Sequence, residues 1–171
     1  MKSINKFLFL PLCFFIFACA SHVPPPAANP AKGIAVIKSQ KKLFLLDQAG
    51  AAFKSYDVKF GGNPVGHKQF EGDMKTPEGR YFIQTRNPDS KFHLSLKISY
   101  PNQNDVKFAQ SMGRSPGGDI FIHGAPNRAW FDGAFYKYKE NWTEGCIAVA
   151  NKDMREIWSL VPDGTPIEIF P

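Results

Sequence analysis

The feature that most constrains this 171-residue chain is how little cysteine remains beyond an export leader. Met1-Lys2 and Lys6 form a charged n-region, and residues 7–17 are an apolar run too short to persist as a membrane-spanning helix. Residues 1–18 therefore read as a signal peptide. Cys13 leaves with that leader and Cys19 stands at its end, so Cys146 is the thiol left to the domain itself. An exported domain with one thiol has no internal disulfide to make, and its fold must rest on a packed core. The same thiol is then either inert filler in that core or a nucleophile.

The leader ends in Ile16-Phe17-Ala18-Cys19, which resembles a bacterial lipobox, while Ala18-Cys19-Ala20 also fits ordinary signal-peptidase cleavage. Lipidation at Cys19 is the expectation carried forward. Residues 19–32, with Pro24-Pro25-Pro26 and several alanines, read as a stiff tether from membrane to domain. Residues 33–171 have the length of one domain with room for a single core. Against 15 Asp+Glu stand 21 Lys+Arg, a formal charge of +6 that loss of Lys2 and Lys6 lowers to +4. Such a surface favours encounter with an anionic envelope. Its basic residues do not cluster as a nucleic-acid site does, so no nucleic-acid partner is expected.

Residues 33–37 and 42–46 are short apolar runs, and Asp47-Gln48-Ala49-Gly50 is a turn leading into residues 53–58, a pattern that predicts a hairpin meander. Residues 80–85, 92–98 and 119–122 continue in strand style, and 166–170 close the chain as a last strand. Two helices interrupt the strands. Asn104-Asp105 predicts a cap for a short one ending near Gly113, and Asn151 predicts the cap of a second in which Met154, Ile157, Trp158 and Val161 recur at helical spacing. The domain is thus mainly β with a few short helices. The 125–141 loop is long and carries Trp130, Phe131, Phe135, Tyr136 and Tyr138, which suggests a substrate lid.

Cys146 lies in Thr143-Glu144-Gly145-Cys146-Ile147, where Gly145 lets a substrate backbone approach and the turn can aim amide N–H groups at an oxyanion. A thiol at its ordinary pKa is mostly protonated at neutral pH, and an imidazole partner can lower that value and protonate a leaving amine. His123, ending an apolar run at a His-Gly step, is the first candidate, with His67 and His93 as alternatives. These histidines and Cys146 have no metal-ligand spacing, so neither metal nor cofactor is expected.

Three segments in order, Gly72-Asp73-Met74-Lys75-Thr76-Pro77-Glu78-Gly79-Arg80-Tyr81, Gly118-Asp119-Ile120-Phe121-Ile122-His123-Gly124 and Thr143-Glu144-Gly145-Cys146-Ile147, resemble the L,D-transpeptidase catalytic domain, the YkuD or ErfK superfamily. Gly61-Gly62-Asn63-Pro64-Val65-Gly66-His67-Lys68 and the ending Leu160-Val161-Pro162-Asp163-Gly164 resemble its YafK branch. The resemblance implies a β-sandwich-like domain in the bacterial periplasm whose cysteine works on peptidoglycan stem peptides. Carried across residue by residue, it assigns the nucleophile to Cys146, the proton donor and acceptor to His123 and the oxyanion-binding turn to Gly145. Gly124 follows the base as the resemblance expects. Beside that assignment, Gly124, Thr143, Glu144 and Trp142 are read as binding residues, and Asn127, Arg128 and Trp142 as groove residues without a derivable role.

Two positions depart from the family's commoner Ser-His-Gly-Cys-Ile-Arg or Ser-His-Gly-Cys-Val-Arg. Thr143-Glu144 replaces Ser-His, and Ala148 stands in place of the arginine. Loss of that guanidinium favours hydrolysis of a diaminopimelate-linked amide, including the link to an envelope lipoprotein, over crosslinking. Transpeptidation and a non-catalytic envelope binding module remain the alternatives. A papain-like protease is disfavoured because its cysteine usually precedes its histidine.

Overall fold

The computed structural model describes residues 29–127 and 140–171. The leader, Cys19, most of the tether and the lid aromatics from Trp130 to Tyr138, together with Arg128, lie outside the described residues. Among the described residues, eight strands form one sheet in the order β3-β2-β1-β8-β4-β5-β6-β7. They are β1 (Gly33–Ile37), β2 (Lys42–Leu46), β3 (Ala52–Asp57), β4 (Gly79–Asn87), β5 (Ser95–Ile98), β6 (Phe121–His123), β7 (Ile147–Ala148) and β8 (Pro166–Phe170).

β1, β2 and β3 are the expected antiparallel meander. Its second turn, between β2 and β3, is closed by Asp47, whose Oδ1 accepts from the Ala49 and Ala51 N–H groups, with Gly50 at φ +79°. Strict alternation sends Ile34 and Val36, Leu43 and Leu45, and Ile167 and Ile169 inward, all at most 2% exposed.

The sheet gets its sandwich character from β4. The first half of that strand pairs with β8 and the second half with β5, and the register slips between Ile83 and Thr85. A bulge of this kind bends a strand so that it can serve two leaves of one curled sheet. The far edges approach each other as well. Lys59, just beyond β3, exchanges both backbone hydrogen bonds with Ala148 of β7, at 2.9 and 2.8 Å. Ordered packing begins ahead of β1, since Ala31 is buried and donates to the Leu160 carbonyl.

Helix α1 (Gln103–Ser111) starts two residues earlier than the sequence suggests. Asn102 is its cap, accepting from Asn104 and Asp105 N–H, while Asp105 accepts from the Asn102 N–H in a reciprocal box. Helix α2 (Asn151–Leu160) buries Met154, Ile157 and Trp158 against β5 and β6, as its spacing requires. Asn151 is not its cap. Ala150 holds that position without a side-chain bond, because the Asn151 carbonyl oxygen is taken by the Ala125 N–H at 2.7 Å.

Two strand expectations shorten for backbone reasons. β5 begins at Ser95 rather than residue 92, since His93 turns the chain at φ +70°, and β6 begins at Phe121, since Asp119 sits at φ +53°.

Candidate active site

His123 ends β6 and Cys146 immediately precedes β7, its parallel neighbour, so sheet pairing sets both side chains on one cavity. That cavity measures about 580 Å³, and Phe92, Asp119, Trp142 and Glu144 are among its walls. Cys146 and Glu144 also border a second cavity of about 310 Å³ together with Lys68, Glu71, Gly118 and Asp119.

His123 is 4% exposed. Phe92 packs on its ring at 4.6 Å between centroids and Trp142 meets it edge-on at 5.6 Å. Burial pushes its pKa down to about 4, only partly offset by its bond to the Gly124 carbonyl. That bond is 2.7 Å from Nδ1. A carbonyl can only accept, so Nδ1 carries the proton and Nε2 keeps its lone pair.

Cys146 is half-buried, and its thiol donates to the Asp119 carbonyl at 3.6 Å. Here the expectation of a lowered thiol pKa fails: it is pushed up to about 11. Burial is the first cause and the carboxylates of Asp119 and Glu144 add to it, while the Phe121 N–H and the Lys68 ammonium oppose them. Lys68 is itself committed to Asp73 at 2.8 Å, deep in the 68–75 loop. The resting pair is therefore a neutral thiol and a neutral imidazole.

The turn carrying Cys146 is tightly held. Gly145 has φ +137°, and a Cβ added there would lie 2.6 Å from the Lys75 carbonyl oxygen and 3.0 Å from Ile120 Cδ1. Only glycine fits both the conformation and the space. Gly124 is constrained differently, since a Cβ there would lie 2.4 Å from Asn151 Oδ1. Thr143, read from the sequence as a binding residue, is 4% exposed and bonded within the turn. Glu144 is exposed at the mouth shared by both cavities.

Neither alternative histidine borders these cavities. His67 accepts the Glu78 N–H at Nδ1, 3.0 Å, and faces Asp105 through Nε2 at 3.1 Å, joining an interior network with Tyr81. His93 Nε2 accepts from Arg155 at 3.3 Å. Ala148 is fully buried in β7 and lines neither cavity. Among the described residues no three of His, Cys, Asp and Glu gather as a metal site.

Sequence reasoning left Asn127 without a role and read Phe92 as a strand residue. Asn127 accepts the His93 N–H at 2.7 Å and donates to the Ser90 carbonyl at 2.8 Å. It thereby straps down the turn that lays Phe92 on His123. No local signal announces this, because the partners are 34 and 37 residues away.

Residues 31–169 match the model of the L,D-transpeptidase catalytic domain family, YkuD. The chain is 28% identical over 134 residues to the L,D-transpeptidase homologue YafK of Escherichia coli K12, covering 75% of this chain and 46% of that protein. It superposes on the helical cell shape determining protein Pgp2 of Campylobacter jejuni with a TM-score of 0.62 and 25% identity, over 83% of this chain and 48% of that one. For Bd1075 of Bdellovibrio bacteriovorus the TM-score is 0.58 and the identity 27%, over 84% and 49%. The chain thus spans about half the length of the relatives it matches.

Proposed function

The chain belongs to the L,D-transpeptidase catalytic domain family, and on that premise we propose that it is a cysteine acyl-enzyme of the bacterial envelope that hydrolyses diaminopimelate-linked amides of peptidoglycan. The observation that carries the reading is the shared cavity of Cys146 and His123, with the His123 Nδ1 proton committed to Gly124.

Cys146 Sγ attacks the carbonyl on the L-centre of diaminopimelate in a stem peptide while His123 Nε2 takes the thiol proton. Because the resting thiol is protonated, this transfer accompanies attack instead of preceding it. The oxyanion is met by backbone N–H groups of the cysteine turn, the Cys146 amide among them, while the Gly145 N–H is held by Thr143 Oγ1. The imidazolium then gives its proton to the departing amine as the C–N bond breaks, leaving a thioester. Water attacks that thioester, His123 accepts the water proton, and the thiolate leaves and is reprotonated. The net change is amide plus water to acid plus amine. Substrates of this class include stem peptides and the amide that joins diaminopimelate to an envelope lipoprotein.

Transpeptidation, in which an amine resolves the same thioester, is the second reading. One observation favours it: Ala148, whose replacement of arginine suggested hydrolysis, lines neither cavity.

The test is incubation with purified muropeptides and with lipoprotein-linked peptidoglycan, followed by mass spectrometry while amine acceptor is raised. Released lipoprotein or shortened stems without crosslinks is the expected result. Crosslinks dominating at modest acceptor concentration would restore the transpeptidase. Full retention of turnover in Cys146→Ser would remove the acyl-enzyme altogether.

A further inference from the structure

We infer that Thr143 is the positioning residue of the nucleophile: its buried hydroxyl closes the 143–146 turn and fixes the Cys146 backbone in the orientation from which the thiol attacks. The inference rests on the reading of Cys146 as the nucleophile.

The polarity of the two bonds leaves no freedom. Thr143 Oγ1 lies 2.7 Å from the Cys146 carbonyl, which can only accept, so the hydroxyl proton is directed there. The Gly145 N–H, which can only donate, lies 3.2 Å from the same oxygen. One hydroxyl thus holds the Cys146 carbonyl, in the peptide plane that leads into β7, and the Gly145 N–H, in the plane between Glu144 and Gly145. The two bonds span the Gly145–Cys146 step, so the stretch of backbone that carries the Cys146 side chain is tied at both ends.

The strut is anchored outside the turn as well. The Thr143 N–H donates to the Phe60 carbonyl at 3.2 Å and its own carbonyl accepts from the Gly62 N–H at 3.0 Å. At Gly145 the space a Cβ would take is filled by the Lys75 carbonyl. The cysteine turn is therefore gripped between the 60–62 and 74–76 segments, with Thr143 as the pin. This assignment also divides the labour of the turn. The Gly145 amide is committed to structure, which leaves oxyanion contact to other N–H groups. Thr143 borders the Cys146–His123 cavity, but at 4% exposure with its hydroxyl bonded inside the turn its contribution is orientation.

A misplacement of about 1 Å at a reacting atom can cost about 10²-fold in rate. Single-turnover acylation of Cys146 by a diaminopimelate stem peptide, followed by intact mass, reads the effect directly. Steady-state kinetics then separate kcat from KM. Thr143→Val keeps the shape and removes the hydroxyl. It is expected to lower acylation and kcat by about 10²-fold while KM changes by no more than about threefold. Thr143→Ser restores the oxygen and is expected to recover most of that loss. If the valine variant does not fold, Thr143→Ala carries the same expectation. A rise in KM at unchanged kcat would make Thr143 a binding residue and overturn the inference. Equal losses in the serine and valine variants would do the same by leaving the hydroxyl without a role. A wild-type protein that forms no acyl-enzyme would overturn the nucleophile reading itself, whereas a wild type that acylates beside an equally fast Thr143→Val would overturn this inference alone.

Discussion

Burial makes Cys146 a weak acid, and alkylation of the resting protein reads that property without any substrate. With a pKa of about 11, the thiolate fraction at pH 7 is about 10⁻⁴, against roughly 3 × 10⁻² for an ordinary cysteine at about 8.5. The more basic thiolate is intrinsically more nucleophilic, and a Brønsted slope of about 0.4–0.5 returns roughly 10- to 20-fold of that deficit. Cys146 should therefore react with iodoacetamide roughly 20-fold more slowly than a free cysteine model at pH 7. Its rate should climb tenfold per pH unit up to at least pH 9–10, with no plateau near neutrality. His123 is absent from the groups that set this thiol, so His123→Ala should abolish turnover yet leave the alkylation profile nearly unmoved. Glu144→Gln removes a carboxylate that raises the thiol pKa and should speed alkylation. Moving a proton from a thiol near 11 to an imidazole near 4 is uphill by roughly 10 kcal/mol at rest. That cost is the physical reason for placing proton transfer within the attack. An alkylation plateau with a midpoint at or below pH 7, lost in His123→Ala, would mean a preformed thiolate–imidazolium pair and refute the reasoning.

His123 also ties stability to pH. Its folded pKa of about 4 lies below the ordinary 6.5, so the unfolded chain binds the extra proton first and stability is lost as pH falls from 6.5 toward 4. Urea unfolding at pH 7.5 and 4.5 should show roughly 2–3 kcal/mol of acid destabilisation that His123→Gln does not share. The Lys68–Asp73 pair is buried on both sides, and Asp73 also accepts three backbone N–H groups. Asp73→Ala should therefore cost about 3–5 kcal/mol by denaturant titration, and a loss under 1 kcal/mol would show the loop is held by other contacts. Gly145→Ala meets both a forbidden φ and the Lys75 carbonyl, and should lower the melting temperature together with activity. An alanine variant with wild-type kcat would contradict the packing of the turn. Fractionation tests the anchor: acylated Cys19 in the membrane pellet is expected, and an unmodified Ser21 N-terminus in the soluble fraction would exclude it.

Whatever depends on near neighbours along the chain was legible in the residues themselves. Alternation in β1, β2 and β8 repeats every second residue, the Asp47 turn closes over four, and the buried stripe of α2 recurs at three and four. Cys146 and His123 stood out in the sequence for a related reason, since each sits in a short motif whose glycine has a local backbone task, but that they line one cavity was left to the fold. What the tertiary structure alone decided involves partners far apart in sequence. The parallel pairings of β1 with β8 and of β6 with β7 join segments that no periodicity connects, and two-residue β7 exists only through its pairing with β6 and its bridge to Lys59. The α1 cap is the exception among near neighbours, since Asn102 holds it in place of Asn104 through reciprocal bonds with Asp105, three residues on. Asn151 was drawn from its cap by Ala125, 26 residues away. The direction of the Cys146 pKa followed the same rule. The motif supplied an imidazole to lower it, but desolvation depends on everything packed around the sulfur, including the Asp119 and Glu144 carboxylates, and such an environment exists only once the chain has folded.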